Sequence, residues 1–152
     1  MIVFRVSRMK YAADLQGIGG VFVPGRWNNI GTPIVYSSLS RSLAIMEYRV
    51  QFQDDTVPSN LAITEINIPD SVSQKFVLLT DLPNNWRSLP YSNQTQVIGD
   101  KFIQEQKFPV LIVPSALIPQ ESNVLINPNL VEANKISIVS VEPYEFDGRL
   151  FK

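Results

Sequence analysis

Pro24-Gly-Arg-Trp-Asn-Asn-Ile-Gly-Thr-Pro33-Ile-Val-Tyr36-Ser-Ser-Leu-Ser40-Arg-Ser-Leu43-Ala-Ile-Met-Glu47-Tyr-Arg-Val50 reads as turn, strand, serine-rich loop and helix. Arg26, Trp27 and Asn28 sit in the turn, and Gly31-Thr-Pro33 is a second turn signal. Ile34-Val-Tyr36 is β-branched and aromatic, as strands are. Ser38 or Ser40 is placed to cap a helix. In that helix Leu43, Met46 and Val50 recur at helical spacing and predict an apolar face. Glu47 falls on the same face. A carboxylate aimed into an apolar face costs several kcal/mol, on the order of a lost ion pair, unless it is paired or used. Its placement is therefore a functional signal.

Outward from this stretch, Ile2–Val6 reads as a first strand and residues 7–24 as a glycine-rich loop. Gly19-Gly20 is a turn rather than a phosphate cradle, because no Gly-Lys-Ser/Thr follows. Residues 51–60 are a polar loop and Leu61–Ile68 a strand. Phe76–Leu79 is a short strand or buried segment. Residues 81–91 form a long loop that Trp86 pins to the core or that covers a pocket. Gln94, Ile98 and Phe102 predict a second helix over about residues 92–106. Val110–Val113, bounded by prolines, predicts a central strand buried on both faces, with Ser115 just past its end. Val124–Ile126 pairs with it as an antiparallel neighbour. Ile136–Val141 is a last strand before Pro143, and Phe146–Phe151 is a tail that docks through its aromatics. The expected fold is α+β, one domain over residues 1–152, with a mixed, largely antiparallel sheet and about two main helices.

The composition narrows the chemistry. The chain has 152 residues, 45% of them hydrophobic, enough for a packed core. A net charge of −1 without a basic block disfavours direct nucleic-acid binding. No apolar run is long enough to span a bilayer, and the first residues lack the features of a signal peptide, so the expected compartment is the cytoplasm. Cysteine and histidine are both absent. That excludes disulfides, a thiol nucleophile, a Cys/His zinc site and any triad built on histidine. Acid–base work falls to a carboxylate, Tyr, Lys or water.

Four polar residues stand out by position: Arg26, Tyr36, Glu47 and Ser115. Each also has an ordinary reading. A turn Arg forms surface ion pairs, a strand Tyr packs in the core, a helix-edge Glu reaches solvent, and a Ser after a strand builds a turn. Arg41 and Arg49, beside Glu47, are solvated charges or a face for an acidic partner.

Gly25-Arg-Trp-Asn28-x-x-Gly31-Thr-Pro33-x-Val35-Tyr-Ser-Ser38, followed by Leu43-Ala44-x-x-Glu47, resembles the signature of the RES domain, a family named for its Arg, Glu and Ser. The likeness continues through Val113-Pro-Ser115, Leu125-x-Asn127-Pro128 and Phe146-Asp147-x-Arg149-Leu-Phe151, so it spans almost the whole chain. The resemblance implies a fold like that of ADP-ribosyltransferases. It also implies a toxin that consumes NAD+ as its substrate without a metal, that forms a homodimer, and that is neutralised by an Xre-type helix-turn-helix antitoxin. Some members instead ADP-ribosylate a protein. Carried over by position, the family's site falls on Arg26, Tyr36, Glu47 and Ser115, with Arg5 a weaker match and Trp27 and Asn28 as further NAD+ contacts. The chain departs from the family where histidines are common: Leu130 and Val131 follow Asn129, and Gln51 and Phe52 follow the Glu-bearing helix.

The residues suit that chemistry. Breaking a nicotinamide–ribose bond builds an oxocarbenium-like centre that a carboxylate such as Glu47 stabilises. Nicotinamide departs neutral, so no strong general acid is required. Arg26 matches a diphosphate, the Tyr36 ring suits a cationic nicotinamide, and Ser115 suits the amide or a ribose hydroxyl. Three readings stand beside one another: glycohydrolysis or phosphorolysis of NAD+, ADP-ribosylation of a protein, and an inactive binding module.

Overall fold

The computed structural model describes residues 1–152. Seven strands form one sheet: β1 (Ile2–Arg8), β2 (Val35–Ser38), β3 (Leu61–Asn67), β4 (Gln74–Phe76), β5 (Val110–Pro114), β6 (Ser122–Ile126) and β7 (Ser137–Tyr144). Their order across the sheet is β4-β5-β6-β2-β1-β3-β7. Every pairing is antiparallel except β4 with β5. Three α-helices accompany the sheet: α1 (Ile18–Phe22), α2 (Arg41–Arg49) and α3 (Asn93–Glu105). None is long and apolar enough to cross a membrane. The α+β expectation holds.

Strand alternation sorts the core into two faces. Val3, Val35, Val110, Ile112, Val124 and Ile126 join one cluster. Leu111, Val113 and Leu125 join another, with Trp27, Trp86, Phe102 and Ile103. On this second face α3 covers β5 and β6. Ala44 of α2 packs with Val6 and Ile63 beside Phe4, over β1 and β3. Between the two helices lies β2. Its register opposes Tyr36 to Leu125 and Ser38 to Asn123, so those four side chains share the helix-bearing face.

Several expectations are corrected. The strand β5 is buried at all five positions but is not central; only the three-residue β4 lies outside it. That edge strand occupies residues 74–76 rather than 76–79, and Phe76, Leu78 and Leu79 are exposed. Residues 7–24 are not all loop: β1 runs to Arg8, a 3-10 turn spans Met9–Tyr11, and α1 follows. The strand β7 runs through Pro143, opposite Ala62. It is an edge strand, where a missing N–H breaks no ladder.

The helix faces also differ from the periodicity. In α2, Met46 and Val50 are exposed while Leu43 and Ala44 are buried, and Glu47 and Tyr48 continue that inward stripe. In α3, Gln94 is exposed, and Thr95, Gly99, Phe102 and Ile103 face inward. A Cβ on Gly99 would lie 1.6 Å from the Trp27 carbonyl oxygen, so only glycine lets α3 approach that turn. The tail docks as expected. Phe146 and Phe151 are buried with Leu61, their rings edge to face at 5.0 Å.

Candidate active site

Ser40 starts α2 by accepting the Leu43 N–H at 3.1 Å, which sets the helix at the end of β2. The inward stripe then carries Glu47 to the buried polar side chains of β2 and β6. Two donors meet its Oε1: Ser115 Oγ at 2.7 Å and Asn123 Nδ2 at 2.7 Å. Asn123 Oδ1 in turn accepts from Ser38 Oγ at 2.7 Å. Ser115 follows β5 and is fully buried. Its Oγ accepts N–H groups from Leu117 at 3.1 Å and Ile118 at 3.2 Å, so its single proton is committed to Glu47. In this structure Ser115 therefore holds the carboxylate. Both donors fall on Oε1, and Oε2 has no protein donor.

Arg26 and Tyr36 enter from the turn. The Tyr36 hydroxyl donates to Asn28 Oδ1 at 2.6 Å and accepts the Trp27 N–H at 3.1 Å. Burial raises its pKa well above the usual phenol range, with the Trp27 N–H only partly opposing. At neutral pH the hydroxyl is therefore a structural bridge and the ring is what Tyr36 offers the cleft. Gly25 makes the bridge feasible, since a Cβ there would lie 2.6 Å from the Tyr36 oxygen. Arg26 Nη1 donates to the carbonyls of Trp86 at 2.6 Å and Ser88 at 3.2 Å, and its guanidinium lies over the Tyr91 ring. Burial lowers its pKa, while Tyr91 and the charge of Glu47 work to raise it. Arg87, in the same loop, donates from Nε to the carbonyl of Ala116 at 2.7 Å, next to Ser115. Neither Arg26 nor Arg87 is paired with a carboxylate.

A cleft of about 430 Å³, counting its solvent-open mouth, runs between α2 and the strands and is lined by Phe4, Tyr36, Ser38, Glu47, Tyr48 and Asn123, among others. Thus Glu47, Ser115 and Tyr36 come together, whereas Arg26 does not line the cleft itself and lies within coulombic reach of Glu47. Three other candidates do not present their side chains here. Trp27 is 2% exposed and packs on Trp86 at 6.5 Å. Asn28 is 1% exposed and spends its amide on the carbonyls of Gly20, Val23 and Asn29. Arg5 belongs to the cleft wall through β1, but its guanidinium turns to the other face and donates to the Asp14 carbonyl. Arg41 and Arg49 are occupied as well. The first pairs with Glu65 at 2.9 Å, and the second holds the carbonyls of Leu150 and Phe52.

Sequence reasoning missed Asn123, Ser38 and Arg87. One signal for Asn123 was present: a polar residue in register with Leu125 on the inner face of an apolar strand.

Comparison with known proteins places the chain in a family. The family model of the RES domain matches residues 2–147. "Toxin Res" of Photorhabdus laumondii is 37% identical over 155 residues, covering 100% of this chain and 98% of its own. "Prs ADP-ribosylating toxin" of Sphingobium sp. is 34% identical, covering 96% and 92%. Among solved structures, the MbcT–MbcA toxin–antitoxin complex of M. tuberculosis superposes with a TM-score of 0.75 over 99% of this chain and 86% of that one, at 14% identity, a likeness of fold.

Proposed function

The chain belongs to the RES-domain family, and on that premise we propose that it is the toxin of a bacterial toxin–antitoxin pair and cleaves NAD+ at the nicotinamide–ribose bond. The observation that carries this reading is Glu47: a carboxylate in a cleft, held through one oxygen by two hydrogen bonds, with the other oxygen open. As nicotinamide leaves, positive charge grows on the ribose carbon. A fixed carboxylate stabilises that charge without reorganising, which is where electrostatic catalysis gains most. Its open oxygen also accepts a hydrogen bond from a ribose hydroxyl. Tyr36 offers a ring for the cationic nicotinamide. Arg26 and Arg87, anchored by carbonyls rather than neutralised by carboxylates, keep N–H groups for the diphosphate.

The acceptor is water or phosphate in this reading. Transfer to a protein side chain is the second reading, and the relative named as an ADP-ribosylating toxin favours it. Both use the same ribosyl centre. The natural partner is an Xre-type antitoxin that blocks the cleft, and the toxin is a cytoplasmic homodimer within that complex.

The test is to incubate purified protein with NAD+ and identify products. Free nicotinamide with ADP-ribose indicates hydrolysis, with ADP-ribose phosphate phosphorolysis, and with a labelled protein transfer. No nicotinamide release under any of these conditions would overturn the proposal.

A further inference from the structure

Glu47 is held by a chain of polar groups that extends beyond the serine contact. Asn123 sits near the start of β6 and is 9% exposed. Its side-chain amide has two different ends, and each has one partner. Oδ1 accepts the Ser38 hydroxyl and Nδ2 donates to Glu47 Oε1, both at 2.7 Å. The two contacts fix each other. An amide turned over would bring its carbonyl oxygen against the carboxylate and its NH2 toward Ser38. The strand register that opposes Ser38 to Asn123 is locked by the neighbouring Ser37 hydroxyl, which donates to the Val124 carbonyl at 2.8 Å.

We propose that Asn123, oriented by Ser38, is a positioning residue that ties Glu47 down by Oε1 and so presents Oε2 alone to the ribosyl centre. This rests on the NAD+-cleaving role of Glu47 argued above. Ser115 by itself is a single hydrogen bond, and a carboxylate held at one point is free to swing about it. A second donor on the same oxygen removes that freedom. It also concentrates the protein's hydrogen bonding on the oxygen that does not face the substrate. Ser38 makes no hydrogen bond to Glu47 and reaches it through the Asn123 amide.

The experiment uses the full chain and NAD+ turnover, read as nicotinamide release, for wild type, Asn123→Ala, Ser38→Ala and the double variant. Asn123→Ala should lower kcat by about 10- to 100-fold, the rate equivalent of one hydrogen bond to a charged group, with KM changed by less than about threefold. Ser38→Ala should lower kcat by a smaller factor, and adding it to Asn123→Ala should change nothing further, because its effect passes through the amide. A kcat within about threefold of wild type in folded Asn123→Ala overturns the proposal. So does a double variant whose losses multiply. A crystal structure of Asn123→Ala supplies a readout that needs no turnover. There the Glu47 carboxylate should depart from its wild-type orientation at Ser115, and an unmoved carboxylate sinks the positioning role even if NAD+ proves not to be the substrate. Wild type that releases no nicotinamide sinks the reading of Glu47 instead.

Discussion

The two long helices lie on the same face of the sheet and are built alike, yet they do different work. Each is started by a serine: Ser40 accepts from Leu43 at 3.1 Å and Ser92 from Gln94 at 3.2 Å. Each turns its smallest residue inward, Ala44 in α2 and Gly99 in α3. In α3 the inner face is spent on packing. Gly99 meets the backbone of Trp27, and the charge of Asp100 is taken up by Asn29 and Thr32. In α2 the inner face delivers a carboxylate to a cleft. One helix fixes where the turn bearing Arg26 sits; the other fixes the charge opposite it. Damage to α3 should therefore appear as lost stability, and damage to α2 as lost rate.

The strongest test of that division is Glu47→Gln. It keeps the shape and removes the charge, so nicotinamide release should fall by about a thousandfold or more while the melting temperature stays within a few degrees. A folded variant with wild-type turnover would remove the chemical role from α2. Next in size is Gly99→Ala. The added carbon meets backbone, which yields poorly, so urea unfolding should show a loss of about 3 kcal/mol. A neutral effect would mean that α3 does not brace the turn. The caps give a matched pair: Ser40→Ala and Ser92→Ala should each cost about 1 kcal/mol in the same assay. Only Ser40→Ala should also lower kcat, since only α2 carries Glu47. Equal kcat losses would erase the contrast between the helices.

The smallest effect concerns Tyr36, whose hydroxyl bridges the turn that α3 braces. Burial raises its native pKa, so the folded protein keeps that proton where the unfolded chain releases it. Its contribution is complete below the ordinary phenol value and is lost as pH rises above it. At about pH 10.5 the loss attributable to this group is about 0.8 kcal/mol. Tyr36→Phe should remove that part of the alkaline decline in stability. An unchanged alkaline slope would contradict a buried, protonated hydroxyl.

Local signals carried most of the fold. Turn residues, serine caps and β-branched runs marked the strands and both main helices in nearly their right places. The helix faces were misread for one physical reason. Periodicity weighs large residues, whereas these helices approach the sheet through Ala44 and Gly99, and Met46 and Val50 are left in solvent. Pairing order was equally out of reach. The burial of β5 follows from Val110–Val113, but its place next to the edge depends on the weakly patterned residues 74–76. In the site, Glu47 was legible because a charge on an inward face demands a partner. The partners were not, because Ser115 and Asn123 reach it across 68 and 76 residues of sequence. Arg5 lines the cleft from β1 while its guanidinium is bound to the Asp14 carbonyl, a partner that a single residue name does not reveal.

Those separations also set the order in which the cleft is completed as the chain is made. A ribosome delivers the N-terminal part first, at a pace on the order of ten residues per second, and domains fold once their parts are available. Glu47 emerges long before either residue that holds it, and β2 must wait for β6 to cover its second edge. A nascent chain that has not yet reached Asn123 carries the acidic side chain with neither of its two donors. The held carboxylate belongs to the nearly finished polypeptide, so for an interval during synthesis the chain exists without it.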